Sequence, residues 1–296
     1  MTPDRTAAAL RALGLDGSAS GLVDGAIATA AIDAAQEAGA LQLDSLEELT
    51  SGDVRTKSSA RDLVTRVDVE CEERIVARLR AAAPGFEIEA EEETDDKRRG
   101  GPRWFVDPLD GTVNYVHGIP MFCASIGLFD SEGPALSVVH AARIGETFVA
   151  ARGRGAWCLR PDGAPSRIRV SDAASLGEAV VATGFPYRRG ELANSNLGNF
   201  GRVFYDVRGV RRMGSAALDL AYVAAGRIDG FWELHLSPFD LAAGAGLVLE
   251  AGGVVTDLER GDDWLRGGHI AAGPAAVVEA LLARVHARPD GAGDRP

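Results

Sequence analysis

Cysteine is scarce in this sequence. Cys71, Cys123 and Cys158 are the only three in 296 residues, with no C-x-x-C pair and an odd count, which excludes a disulfide framework and a cysteine-held zinc site. They are expected as buried thiols. Long apolar runs are also missing: apolar residues make up 46% of the chain, but glycine or charge interrupts them before they reach bilayer-spanning length. No membrane span is expected. The opening residues lack a basic stretch followed by an uninterrupted apolar core, so they do not read as a secretory signal, and a cytoplasmic location is predicted. Positive charge is in deficit, with 31 Lys and Arg against 43 Asp and Glu, a formal net charge of −12. There is no basic stripe for nucleic acid. The five histidines are scattered, with no H-x-x-x-H spacing, which argues against a histidine-held zinc hydrolase. An anionic substrate is still compatible with this charge, because carboxylates can hold cations that bind the anion in turn.

The patterns that are present divide the chain into two subdomains, 1–175 and 176–296. Leu22 to Ala38 and Leu63 to Ala82 read as helices, the second with Val67, Ile75, Val76 and Leu79 as a partial apolar stripe. FEIEAEEET reads as a strand running into an acidic loop, and RWFVD as a short buried strand. MFCASIGLFD, ALSVVHAAR, ETFVAARG and RIRVS follow at short spacing, as strands of an antiparallel sheet would. From Leu176 strands and helices alternate: EAVVATGF, a helix around Leu192 to Tyr205, GVRRM, a helix from Ser215 to Ala225, DGFWE, a helix from Asp240 to Ala251, VVTDL, and a last helix near Ala275 to Val285. The expected class is α+β followed by α/β. The tail ARPDGAGDRP is expected to fray.

Chemistry concentrates in WFVDPLDGTVN, Trp104 to Asn114. Asp107 ends an apolar strand, Pro108 and Leu109 make a stiff turn, and Asp110-Gly111-Thr112 opens a new segment. Two carboxylates thus emerge together from a buried edge, where hard divalent cations find oxygen ligands. A helix starting near Thr112 would turn free N–H groups toward the same place and hold a phosphate. The bland alternative is a strand-to-helix turn with Asp110 as an N-cap. Asp68, Glu92 and Asp240 are the other carboxylates whose surroundings single them out.

WFVDPLDGTVNYVHGIP resembles the signature of the inositol monophosphatase family, W-x-x-D-P-x-D-G-T-x-N followed by an aromatic and a later proline. KSSARDLVTRVD, EEET, RRMGSAALDLAYVAAGRIDGFWE and SPFDLAAGAGLVLEAGG resemble further family motifs in the same order. The resemblance implies a layered α-β-α-β-α sandwich of the sugar phosphatase type, two or three Mg²⁺ ions, inhibition by Li⁺ and a homodimer. It places Glu92, Asp107, Asp110 and Asp240 as metal ligands with the Leu109 carbonyl, Glu93 and Lys57 just behind them, and Asp68 with Thr112 around the attacking water. Gly111 and Thr112 N–H groups would hold the phosphate; Gly214, Ser215, Ala216 and Glu233 would face the substrate's hydroxyl-bearing ring. Two positions depart from the pattern, Phe239 for Trp and Glu91 for Gly. With three glutamates in a row the register of the loop can slip; aligning on Thr94 selects Glu92, with Glu91 and Glu93 as alternatives.

The expected reaction is hydrolysis of a small phosphorylated polyol, inositol monophosphate first, by direct in-line attack of metal-activated water without a phosphoenzyme. Histidinol phosphate, fructose bisphosphate and nucleotide 3′-phosphates are the alternative substrates within the family. A non-catalytic binding partner in RNA metabolism is the alternative of another class, disfavoured by the missing basic stripe.

Overall fold

The computed structural model describes residues 4–17, 21–57, 62–96, 100–161 and 163–288. Part of the KSSARDLVTRVD motif, part of the charged turn after Thr94 and most of the tail lie outside the described residues. The N-terminal part is helical: α1 (Arg5–Leu13) precedes α2 (Gly25–Leu46), whose N-cap Asp24 accepts from the Ile27 N–H. Along α2 the buried residues are mostly alanines, and these small side chains let it lie close on its neighbours. A short antiparallel pair, β1 (Val54–Thr56) and β2 (Leu63–Thr65), leads into α3 (Arg66–Ala82). The helix expected from Leu63 therefore begins at Arg66, because Leu63 to Thr65 pair with β1 and Thr65 caps the helix in a capping box with Asp68.

β3 (Glu87–Ala90) and β4 (Arg103–Asp110) run parallel. After the short α4 (Thr112–Val116) come β5 (Cys123–Asp130), β6 (Gly133–Ala141), β7 (Glu146–Ala151), β8 (Gly155–Leu159) and β9 (Ser166–Ile168), an antiparallel meander that completes a seven-stranded sheet in sequential order. The second half gives β10 (Val180–Thr183), α5 (Leu197–Phe204), β11 (Gly209–Arg211), α6 (Ala216–Ala224), β12 (Gly230–Glu233), α7 (Pro238–Glu250), β13 (Val254–Thr256), α8 (Trp264–Gly267), β14 (Ile270–Gly273) and α9 (Ala275–Leu282). Its five strands order as β11-β10-β12-β14-β13, parallel around β10 and antiparallel around β14.

The elements stack in five layers: α2 and α3, the seven-stranded sheet, α6 and α7, the five-stranded sheet, then α9. Both faces of the larger sheet are covered, which explains its near-continuous apolar strands. Alternation along β4 then decides where the chemistry points. Trp104 and Val106 pack in the core on the α2–α3 side, while Phe105 joins the core shared with α6 and α7. Asp107, in step with Phe105, faces α7. That shared core draws Phe105 and Phe148 from one sheet, Leu220 and Leu247 from the middle helices, and Phe231 and Ile270 from the other sheet. Burying each such side chain contributes about 1.5–3 kcal/mol. Among the described residues no helix is long and apolar enough to cross a membrane.

Candidate active site

Asp107, Asp110 and Asp240 each bring a carboxylate oxygen within 4.8 Å of the others, the one such group of three or more acidic, histidine or cysteine side chains among the described residues. Helix starts position them. Asp240 is the third residue of α7, in a capping box with Ser237 and behind Pro238; its Oδ2 accepts from the Ser237 N–H at 2.7 Å. Asp110 ends β4, and its Oδ2 accepts from the Ser215 hydroxyl and the Ala217 N–H, both at 2.7 Å. It therefore holds the start of α6 and does not cap α4, whose N-cap is Gly111. Asp107 Oδ1 accepts from the Leu109 N–H at 2.9 Å, which folds the proline turn back on itself. Gly111 sits at φ 94°, and a Cβ there would lie 2.8 Å from the Met121 carbonyl oxygen. No residue with a side chain fits that turn.

Burial drives the carboxyls upward. Asp107 and Asp240 are pushed well above the ordinary carboxylate range, first by loss of water and then by the charges of Glu91 and Asp110. Asp110 rises to about 6 from burial, against the hydrogen bonds from Ser215 and Ala217. Several buried carboxylates repelling one another call for positive charge between them, and their all-oxygen donor set suits a hard divalent cation.

Asp68 stands behind this group, fully buried. Its Oδ2 accepts from the Thr65 N–H at 2.8 Å and the Thr65 hydroxyl at 2.6 Å, and its Oδ1 from the Thr112 hydroxyl at 3.1 Å. The same hydroxyl lies 3.2 Å from the Leu109 carbonyl oxygen. Burial lifts Asp68 to about 6.

The acidic loop corrects one expectation. Glu91, and not Glu92, lines the cavity, where its charge raises Asp107 further. Glu92 turns to Lys57, whose ammonium donates to it at 2.6 Å and to Glu91 at 2.9 Å. Glu93, expected just behind the metals, is exposed.

A cavity of about 310 Å³ opens over the carboxylates, and Gly214, Ser215, Ala216, Glu233 and Arg212 are among the residues that line it. Glu233 is pushed up to about 8 by burial, opposed by Arg212 and reinforced by Asp110. It occupies space that only glycine at 184 leaves open: a Cβ there would be 2.1 Å from Glu233 Oε1. Asp219 lies in no motif that marks it from the amino-acid sequence. It is buried on α6 at the cavity floor, and its Oδ1 has no hydrogen-bond partner among the described residues. An apolar-looking helix, AALDLAYVA, hides it.

Comparison with known proteins decides the family. A model described as the inositol monophosphatase family matches residues 25–289. The chain belongs to the inositol monophosphatase family. It is 43% identical over 262 residues to a Pseudomonas aeruginosa protein named Nus factor SuhB, covering 86% of this chain and 94% of that one. Identity to a Mesorhizobium japonicum protein named inositol-1-monophosphatase is 42% over 232 residues, 76% of this chain and 83% of that one. Among solved structures, extragenic suppressor protein suhB from Bartonella henselae superposes with a TM-score of 0.80 at 38% identity, covering 88% of this chain and 98% of that one. The layered sandwich is thus the inositol monophosphatase fold.

Proposed function

We propose that the chain is a Mg²⁺-dependent phosphomonoesterase that hydrolyses inositol monophosphate or a similar small polyol phosphate. The observation that carries this is the meeting of Asp107, Asp110 and Asp240 beside the Asp68–Thr112 pair. Asp107, Asp110, Asp240 and Glu91, with the Leu109 carbonyl, would hold Mg²⁺, for which their buried oxygens fit. When bound, Mg²⁺ supplies positive charge that eases deprotonation of water and steadies the phosphoryl oxygens.

The chain's own residues do the rest. Thr112 donates its hydroxyl proton to Asp68, leaving its oxygen free to accept from a water on the other side. As that water attacks phosphorus, Thr112 takes the water's proton and passes its own to Asp68. The water oxygen bonds to phosphorus as the ester oxygen leaves with its electron pair. The first N–H groups of α4, at Gly111 and Thr112, lack intrahelical partners and meet the phosphoryl oxygens. Gly214, Ser215, Ala216 and Glu233 receive the alcohol. The enzyme works as a homodimer, which light scattering checks.

The deciding experiment is phosphate release from inositol, fructose, histidinol and nucleotide phosphates with and without Mg²⁺. Release from polyol phosphates only with Mg²⁺ is expected; no turnover on the whole panel would reject the enzyme. Inhibition by Li⁺ is expected as well, and full activity at high Li⁺ would count against it. A second reading, a binding partner in RNA metabolism, has the name of the Pseudomonas relative in its favour. The net charge of −12 weighs against direct nucleic-acid binding. Tight binding to a transcription complex without phosphate release would favour that reading.

A further inference from the structure

Glu91, Glu92 and Glu93 are chemically identical, so only the path of the backbone can decide which of them faces the cavity, as Glu91 does. That path is tied to one buried side chain. Glu72, one turn beyond Asp68 on α3, is 3% exposed. Its carboxylate accepts from three successive backbone N–H groups: Glu92 at 2.7 Å, Glu93 at 3.0 Å and Thr94 at 2.8 Å. Successive N–H groups converging on one anion form a nest, and bonds to an ionised acceptor are about twice as strong as neutral ones.

We infer that Glu72 is a positioning residue that sets the register of the acidic loop and so selects Glu91 as the glutamate facing the cation site. The other end of the loop is closed by the Glu91 N–H on the Val106 carbonyl at 3.1 Å and the Ala90 N–H on the Thr94 carbonyl at 2.7 Å. With the N–H groups of residues 92 to 94 turned to α3, the Glu91 side chain stays in the cavity wall and Glu92 lies outside it, with Lys57 donating to both. A slip of one residue would break the three bonds to Glu72 and turn Glu92 into the cavity in place of Glu91. Asp68 stands on the same helix, so Glu72 also refers the loop to the frame that holds the Thr112 hydroxyl.

The inference rests on the acidic cluster being a cation site. Full-length protein is titrated with Mg²⁺ by thermal shift and with Tb³⁺ by luminescence, for E91Q and E92Q, each with Glu72 intact and with E72Q. With Glu72 intact, E91Q weakens half-saturation at least about tenfold and E92Q less than about threefold. With E72Q, which keeps the shape but not the charge, the two converge to within about threefold. E72D, which draws the charge back by one methylene, is read in the same way if E72Q does not fold. A merely structural role lowers the melting temperature without cation and leaves the E91Q-to-E92Q ratio unchanged. That unchanged ratio overturns the inference while leaving the cation site standing. A wild-type protein that binds neither ion removes the cation site, and the inference with it.

Discussion

The two sides of the cavity are built on different principles. On the side proposed to hold cations, Asp68, Asp110 and Asp240 each commit one oxygen to the N-terminus of a helix, α3, α6 and α7 in turn, and the other Asp68 oxygen accepts from Thr112. Their positions follow from backbone geometry. On the alcohol side, Glu233 sits in a niche left by Gly184, and Asp219 lies below with an oxygen lacking a partner among the described residues. Those positions follow from side-chain packing, which can vary without disturbing the fold. The shared chemistry is therefore anchored where change is most costly, and selectivity where it is cheap.

The largest effect that separates the sides is expected from Asp110→Asn. It keeps an acceptor for the α6 start but removes a charge from the cluster, so turnover should fall roughly a thousandfold with unchanged circular dichroism. Activity near wild type would break the comparison at its stronger side.

The next effect tests whether the sheet bearing the cation side also fails first in acid. His140 on β6 is buried against α2, its Nδ1 2.9 Å from the Thr147 hydroxyl, and loss of water with the nearby Arg5 charge lowers it to about 4 from an ordinary 6.5. Between those values the unfolded chain binds the proton and the folded one does not, so the His140 contribution is full above pH 6.5 and is lost as pH falls toward 4, while the raised carboxyls of the site act in the opposite direction. The loss should be on the order of 3 kcal/mol, read by denaturant unfolding across that range. His140→Gln should flatten this decline; an unaltered slope would assign it elsewhere.

The smallest effect is expected from Gly184→Ala, whose methyl displaces Glu233. KM for a polyol phosphate should rise about tenfold, with kcat and Mg²⁺ half-saturation changed less than about threefold. A matching fall in Mg²⁺ affinity would show that the two sides are not separable.

Much of this was legible in the sequence. Asp107 and Asp110 flank a proline turn at the end of an apolar strand, and Asp240 follows Ser237-Pro238, a helix-start signal; local patterns of this kind survive folding because they are made by it. Which glutamate faces the cavity is decided the opposite way. The contact that fixes the loop joins Glu72 to residues more than a full helix away in sequence, and no local pattern in EEET distinguishes one glutamate from the next. Leu63 to Thr65 read as helix from sequence for the same reason, since their strand exists only through its pairing with β1. Asp219 is not legible in the sequence because AALDLAYVA has the composition of a buried helix and its one acidic residue reads as exposed.

The middle layer carries a consequence for the chain's divisibility. Because α6 and α7 fill the space between both sheets, a cut near Ser175 would leave each fragment with an open apolar face belonging to the other. Neither piece should fold alone. Mixed from denaturant, they should regain phosphatase activity at a rate that scales with the product of their concentrations, making the break a handle for split-protein reconstitution.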